Sequence, residues 1–199
     1  MNTKRIIGIT GASGMLYAKR VLEILIAMPG ELHLIISEMG WEVLKHELTA
    51  RHNTFAAFID ELKGAGAIEA EVIIHDIHNL FAPIASGSFQ TTGMAIIPCS
   101  MKTLSAVATG YTGNLMQRAA DVTLKEKRPL ILVVRETPFN TVHLKNMVAA
   151  SEAGATIMPA SPGFYNRPET LDDIADFMAG RVLDHLNINY PNAPRWEGE

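Results

Sequence analysis

Cysteine is almost absent from this 199-residue chain: Cys99 stands alone, which excludes an intramolecular disulfide and points to a reducing compartment. Charge is scarce too. Charged residues make up 19%, and 17 Lys+Arg against 21 Asp+Glu leave a net −4. No basic stripe dominates any segment. The tightest cluster, Lys125-Glu126-Lys127-Arg128, is short and broken by an acid, so no nucleic-acid partner is expected. Long apolar runs are missing, none approaching the ~18 residues a membrane span needs. The first residues lead into a short glycine-bearing run, not a signal-peptide core. Repeats, low-complexity tracts and linkers are missing as well. What is present, 48% hydrophobic residues, suffices for one domain over 1–199 that buries about 70% of its unfolded surface. The reading is a soluble cytoplasmic protein, and the low charge hints that other subunits cover part of its surface.

Apolar runs alternate with helical patterns. Strands are expected at 5–10, 32–36, 71–75, 94–97, 130–134 and 155–158. Helices are expected at 15–28, 38–48, 54–65, 103–109, 114–126, 141–153 and 170–186. In the first, Leu16, Val21, Leu22, Leu25 and Ile26 recur at helical steps until Pro29-Gly30 stops the pattern. Continuous apolar strands between helices define an α/β protein: a three-layer, Rossmann/flavodoxin-like parallel sheet with helices on both faces. The apolar side of 170–186 reads as core. The polar tail, 187–199, leaves a loose arm and an interface arm equally open.

Ligands of such sheets sit beyond the carboxyl ends of the strands. That rule selects 10–14, Ser37, 86–88, 98–103, 135–138 and 159–165, nearly all rich in Gly, Ser, Thr, Pro or Arg. Thr10-Gly11-Ala12-Ser13-Gly14 follows a strand and opens a helix, where bare N–H groups favour an anion; a ligand-free turn is the alternative. No Gly-Lys-Ser/Thr follows, so it is not a Walker loop. A dinucleotide reading is second best, because the second strand ends in Ser37 with Glu38 one place late. Ser37 and Ser100 suit a phosphate or a helix cap, and Ser86-Gly87-Ser88 a ligand loop or a turn. Cys99 reads as a small buried residue, since no His–Asn or His–Asp setting is identifiable beside it.

Arg118 sits in an apolar helical stretch, where a snorkelling arginine is expected. Arg135-Glu136 ends the most apolar strand and is either a buried structural ion pair or an active-site pair, the second preferred. Several of the cations Arg118, Lys125, Arg135 and Arg181 at one strand edge would suit a phosphorylated substrate. His75-Asp76-Ile77-His78 lacks metal-site partners and reads as turn. No Gly-x-Ser-x-Gly elbow is present.

Thr10-Gly11-Ala12-Ser13-Gly14, Ala85-Ser86-Gly87-Ser88, Pro98-Cys99-Ser100-Met101-Lys102-Thr103-Leu104-Ser105, Arg118-Ala119-Ala120-Asp121, Leu124-Lys125-Glu126, Arg135-Glu136-Thr137-Pro138 and Pro162-Gly163-Phe164-Tyr165 occur in order. Together, from about residue 5 to Trp196, they closely resemble the UbiX-type flavin prenyltransferases. The resemblance implies transfer of a dimethylallyl group from dimethylallyl phosphate to reduced FMN without a metal. Prenylated FMN would then serve a UbiD-type decarboxylase. It implies flavin contacts at Gly11, Ala12, Ser13, Ser37, Ser100, Met101, Lys102, Thr103 and Arg135. Glu47, Arg118, Lys125 and Glu136 match catalytic positions, and Ser88, Tyr165 and Arg181 substrate-binding ones. Arg181 is expected to reach a neighbouring subunit within a homododecamer. Glu47 and Glu136 both remain open as the group that moves a proton. Asn140, Gly163 and Leu80-Phe81 depart from frequent family residues and bear on pocket shape. The related cysteine decarboxylases share the FMN site, but their Pro-x-Met-Asn-x-x-Met-Trp signature is missing. A non-catalytic FMN carrier is the third reading.

Overall fold

The computed structural model describes residues 3–49, 51–196 and 198. Six parallel strands, β1 (Lys4–Ile9), β2 (Gly30–Ile36), β3 (Ala70–His75), β4 (Gly93–Cys99), β5 (Leu130–Val134) and β6 (Thr156–Pro159), form one sheet in the order β3-β2-β1-β4-β5-β6. Of the two doubly wound orders this is the Rossmann one. The central strands β4 and β5 are buried throughout, which is why they read as unbroken apolar runs. The edge strands β3 and β6 are only partly covered, and their sequences are correspondingly mixed.

Seven helices cover the sheet: α1 (Met15–Ile26), α2 (Glu38–Glu47), α3 (Phe55–Gly64), α4 (Met101–Thr109), α5 (Leu115–Lys125), α6 (Thr141–Glu152) and α7 (Leu171–His185). Strand alternation sends Ile7, Ile9, Ile131 and Val133 to the face covered by α1, α2, α3 and α7. Ile6, Ile96, Leu130 and Leu132 go to the face covered by α4, α5 and α6. Each fully buried Leu or Ile contributes about 1.5–3 kcal/mol. Helix starts follow their caps: Ser37, Thr54, Ser100, Asn114, Asn140 and Thr170 each accept a hydrogen bond from the first turn. Asn140, a departure from the family residue, therefore serves as a cap.

The expected elements are all present, with ends moved by at most two residues. A short 3₁₀ turn, Pro83–Ala85, adds to them. The tail does not stand loose but packs on its own chain. Its Tyr190 and Ala193 are buried in the α1/α7 core, and Arg195 pairs with Asp184 at 2.8 Å; residues 197 and 199 lie outside the described residues. No helix among the described residues is long and apolar enough to cross a membrane.

Cys99 has no exposed surface, and burial pushes its thiol up to about 12. The native protein is expected to resist thiol reagents at pH 8 and to react with one equivalent once unfolded, as a thiol titration with and without denaturant would show.

Candidate active site

Strand order reverses between β1 and β4, so a crevice opens beyond their carboxyl ends. Thr10 ties the two strands there. Its Oγ1 donates to the Pro98 carbonyl at 2.8 Å and accepts from the Ser100 N–H at 2.8 Å. A cavity of about 330 Å³ occupies the crevice. Gly11, Ser37, Ser100, Lys102 and Thr103 line it, as the sequence leads one to expect. Ser37 and Ser100 also cap α2 and α4, so the capping reading of both holds. Ala12 and Met101 are buried, and neither lines the cavity.

Thr10, Glu38, Met39, Ile77, His78, Asn114, Met116 and Gln117 complete the lining; the sequence marks Ile77 and His78 only as turn, and Met39, Asn114, Met116 and Gln117 not as ligand contacts. Gln117 is 6% exposed, and its amide oxygen is buried without a partner. Gly11 is where the β1–α1 turn meets α2: a Cβ there would stand 2.6 Å from Met39 Cβ and 3.2 Å from its backbone carbon. Gly11→Ala is therefore expected to displace α2 and cost about 1–3 kcal/mol, read from urea unfolding.

The turn after β1 does attract an anion, but that anion belongs to the chain. Glu47, the last residue of α2, accepts from the Gly14 N–H at 2.9 Å and the Met15 N–H at 2.8 Å. It thereby caps α1, whose N-cap Gly14 has no side chain to do so. Desolvation pushes the Glu47 carboxyl up. Hydrogen bonds from Ser13, Met15 and Gly14 and the Arg135 charge outweigh this and hold it below its usual range. A depressed folded pKa stabilises the protein above the unfolded value, about 4.3, and that gain is lost as pH falls through the folded value. The stability gap between wild type and Glu47→Gln should thus be widest near neutral pH and close in acid, as thermal melts across pH would report.

For Arg135 and Glu136 the less favoured of the two readings is excluded. Both are exposed, and Glu136 Oε1 accepts from the neighbouring Thr137 N–H at 3.0 Å, so they form no buried ion pair. Arg135 instead directs its charge toward Glu47 and Tyr17. The cations do not share one strand edge either. Arg118 and Lys125 lie seven residues apart on one side of α5. Lys125 is close to the start of β5, about 16 Å along the helix from Asn114 at the cavity. Arg118 is half-buried rather than simply snorkelling: it donates to Asp121 at 2.8 Å and to the Ala85 carbonyl at 3.1 Å. Ser88 belongs to this group through the Ser86–Ser88 hydroxyl contact at 2.9 Å and the approach of Gly87 to Lys125.

Tyr165 and Arg181 form a third group, on the opposite face of the sheet. Tyr165 packs edge-on against Phe177 of α7 and against Trp196 at 5.7 and 5.5 Å. Arg181 pairs with Asp184 at 3.3 Å. The end of α7 lies by the start of β4, where a Cβ on Gly93 would meet Leu186 at 3.0 Å. One chain therefore holds the cavity at the carboxyl end of the sheet and Lys125 and Arg181 toward its amino end. Among the described residues no three His, Cys, Asp or Glu side chains converge as a metal set.

A Rossmann-type sheet with a crevice of this lining defines a flavin-binding class, and the Flavoprotein family model matches residues 1–183. Flavin prenyltransferase UbiX of Halalkalibacterium halodurans is 49% identical over 193 residues, covering 97% of this chain and 93% of the relative. The UbiX of Escherichia coli K12 is 44% identical, with 97% of each chain covered. The solved structure of AnUbiX (PadA1) with FMN and dimethylallyl pyrophosphate superimposes with a TM-score of 0.89 at 36% identity, covering both chains in full. The chain belongs to the UbiX flavin prenyltransferase family. The peptidyl-cysteine decarboxylase EpiD, at 14% identity and a TM-score of 0.59, shares the fold alone.

Proposed function

We propose that the chain, as a single flavin-binding domain over 1–199, transfers a dimethylallyl group from dimethylallyl phosphate to reduced FMN. Phosphate leaves, and prenylated FMN passes to a UbiD-type decarboxylase. The observation that carries this reading is the crevice lining. Met39, Ile77 and Met116 give apolar walls for a flat ring, while Ser37, Ser100, Lys102 and Gln117 offer polar groups to its edges. The unpartnered Gln117 oxygen is an acceptor that a ring N–H would satisfy. FMN therefore fits, with Gly11, Ala12, Ser13, Ser37, Ser100 to Thr103 and Arg135 as the residues to hold it.

Bound reduced FMN supplies the electron-rich ring that takes the allyl group. The chain's own residues handle charge and protons. Negative charge grows on the departing phosphate, and Lys125 and Arg181 oppose it while Ser88 and Tyr165 donate hydrogen bonds. Arg118 fixes the Ser88 segment through the Ala85 carbonyl while its Nη1 pairs with Asp121. Glu136 is the exposed carboxylate suited to moving a proton, because Glu47 is held ionised by the α1 cap.

The separation of the three groups within one chain supports a site completed between copies. The solved structure of a dodecameric FMN-dependent UbiX-like decarboxylase from Escherichia coli O157:H7 superimposes with a TM-score of 0.84 at 42% identity. On α6, Leu144 and Val148, one turn apart, are at least 50% exposed, an apolar stripe that a homododecamer would cover. Assaying phosphate release with dimethylallyl phosphate and, separately, its pyrophosphate tests the donor. Release from the monophosphate that requires reduced FMN is expected; release without flavin would contradict the reading.

A further inference from the structure

Ser88 lies in a β-turn closed by the Phe89 N–H donating to the Ser86 carbonyl at 3.2 Å. Both serines are exposed, and no helix or strand contains them. Such a turn keeps one orientation only where its backbone is tied elsewhere. The ties are specific. Arg128 Nη2 donates to the Gly87 carbonyl at 2.8 Å, and Nη1 donates to the Phe89 carbonyl at 2.8 Å. One guanidinium thus spans the carbonyls on both sides of Ser88. On its other side the Phe89 ring is held by Lys4 Nζ, 4.5 Å from its centre, and by the edge-on His33 ring at 5.2 Å.

The same short segment carries Lys125. Helix α5 ends with the Lys127 N–H on the Leu124 carbonyl at 2.9 Å and the Arg128 N–H on the Thr123 carbonyl at 2.9 Å. Lys127 has φ +58°. These are the two bonds and the left-handed residue of a Schellman ending. The chain accepts a non-glycine residue in the left-handed region there. The reversal aims Arg128 back at the Ser88 turn while Lys125 stays in the last helical turn. The fit is close: a Cβ on Gly87 would stand 2.6 Å from Lys125 Nζ.

We infer that Arg128 is a positioning residue of the prenyl-phosphate site, its fork setting the Ser88 hydroxyl against the Lys125 ammonium. The inference rests on the function proposed above, and deepens it by naming what holds the phosphate-binding pair in register. Both terminal nitrogens are engaged by carbonyls, so Arg128 acts through Ser88 rather than on substrate. Lysine, a single point of charge, reaches one carbonyl where arginine's planar fork reaches two.

The test compares Arg128→Gln and Arg128→Lys with wild type in steady-state kinetics, FMN titration and thermal unfolding. Arg128→Gln should raise KM for dimethylallyl phosphate about tenfold or more, with Arg128→Lys between it and wild type. FMN affinity and the unfolding midpoint should stay at wild-type values. In a Ser88→Ala background, Arg128→Gln should add little further, because both act through one hydroxyl. An unmoved KM, additive effects in the double variant, or a parallel loss of FMN affinity and stability would each overturn the inference. Wild-type protein inactive toward dimethylallyl phosphate would instead overturn the proposed function.

Discussion

Lys125→Ala and Glu136→Gln protein is expected to bind FMN as wild type does while losing turnover by roughly a hundred- to ten-thousand-fold. Neither change should disturb the fold. Lys125 is half-exposed and pairs with the adjacent Glu126, and exposed pairs contribute at most about 1 kcal/mol. Glu136 is exposed, and glutamine keeps an oxygen for the Thr137 N–H it now accepts. What each variant loses is function at a separate step. Lys125→Ala removes a charge from the departing phosphate, and Glu136→Gln removes a group that can carry a proton. Flavin fluorescence titration together with phosphate release separates binding from turnover. Wild-type rates would remove the residue concerned from the catalytic group.

Two inactive proteins should restore each other when co-assembled. Glu136 follows β5 at the carboxyl end of the sheet, whereas Arg181 lies toward the end of α7 that meets the start of β4. No single copy brings them together, so the substrate-binding role proposed for Arg181 requires it to serve a neighbour's site. Co-expressed Glu136→Gln and Arg181→Ala chains, mixed equally at random, leave about a quarter of sites with both native residues. Activity near that fraction of wild type is expected from the purified mixed assembly, against almost none from either parent. No recovery in demonstrably mixed assemblies would place Arg181 in its own chain's site.

Much of this was legible in the sequence because burial and chemistry leave local marks. β5 was readable to the residue, its five positions being uniformly apolar and uniformly buried. β4 runs longer than expected, taking in Gly93 at its start and Pro98 and Cys99 at its end. Ser37 and Ser100 were legible as strand-end hydroxyls. Met39, Ile77 and Met116 were not, since an apolar residue that lines a crevice looks like one that fills a core. Glu47 reaches the α1 N-terminus across more than thirty residues of chain, a distance at which no spacing rule operates. The four cations read as one group because the motifs follow one another in order. Order along the chain says nothing of which face or end of the sheet each occupies. Tyr190 and Ala193 teach the same lesson in the tail, where composition suggested an arm and packing made a core edge.

The low charge that marks the sequence acquires a physical setting in the exposed apolar side of α6. A chain with only 19% charged residues has less polar surface to offer water, and the proposed association would cover the remainder.

The most direct test of the account is the mass of the flavin. Purified protein incubated anaerobically with reduced FMN and dimethylallyl phosphate should yield a flavin heavier by one five-carbon prenyl group, with one phosphate released for each flavin converted. Flavin of unchanged mass, recovered from protein that has bound FMN, would contradict it.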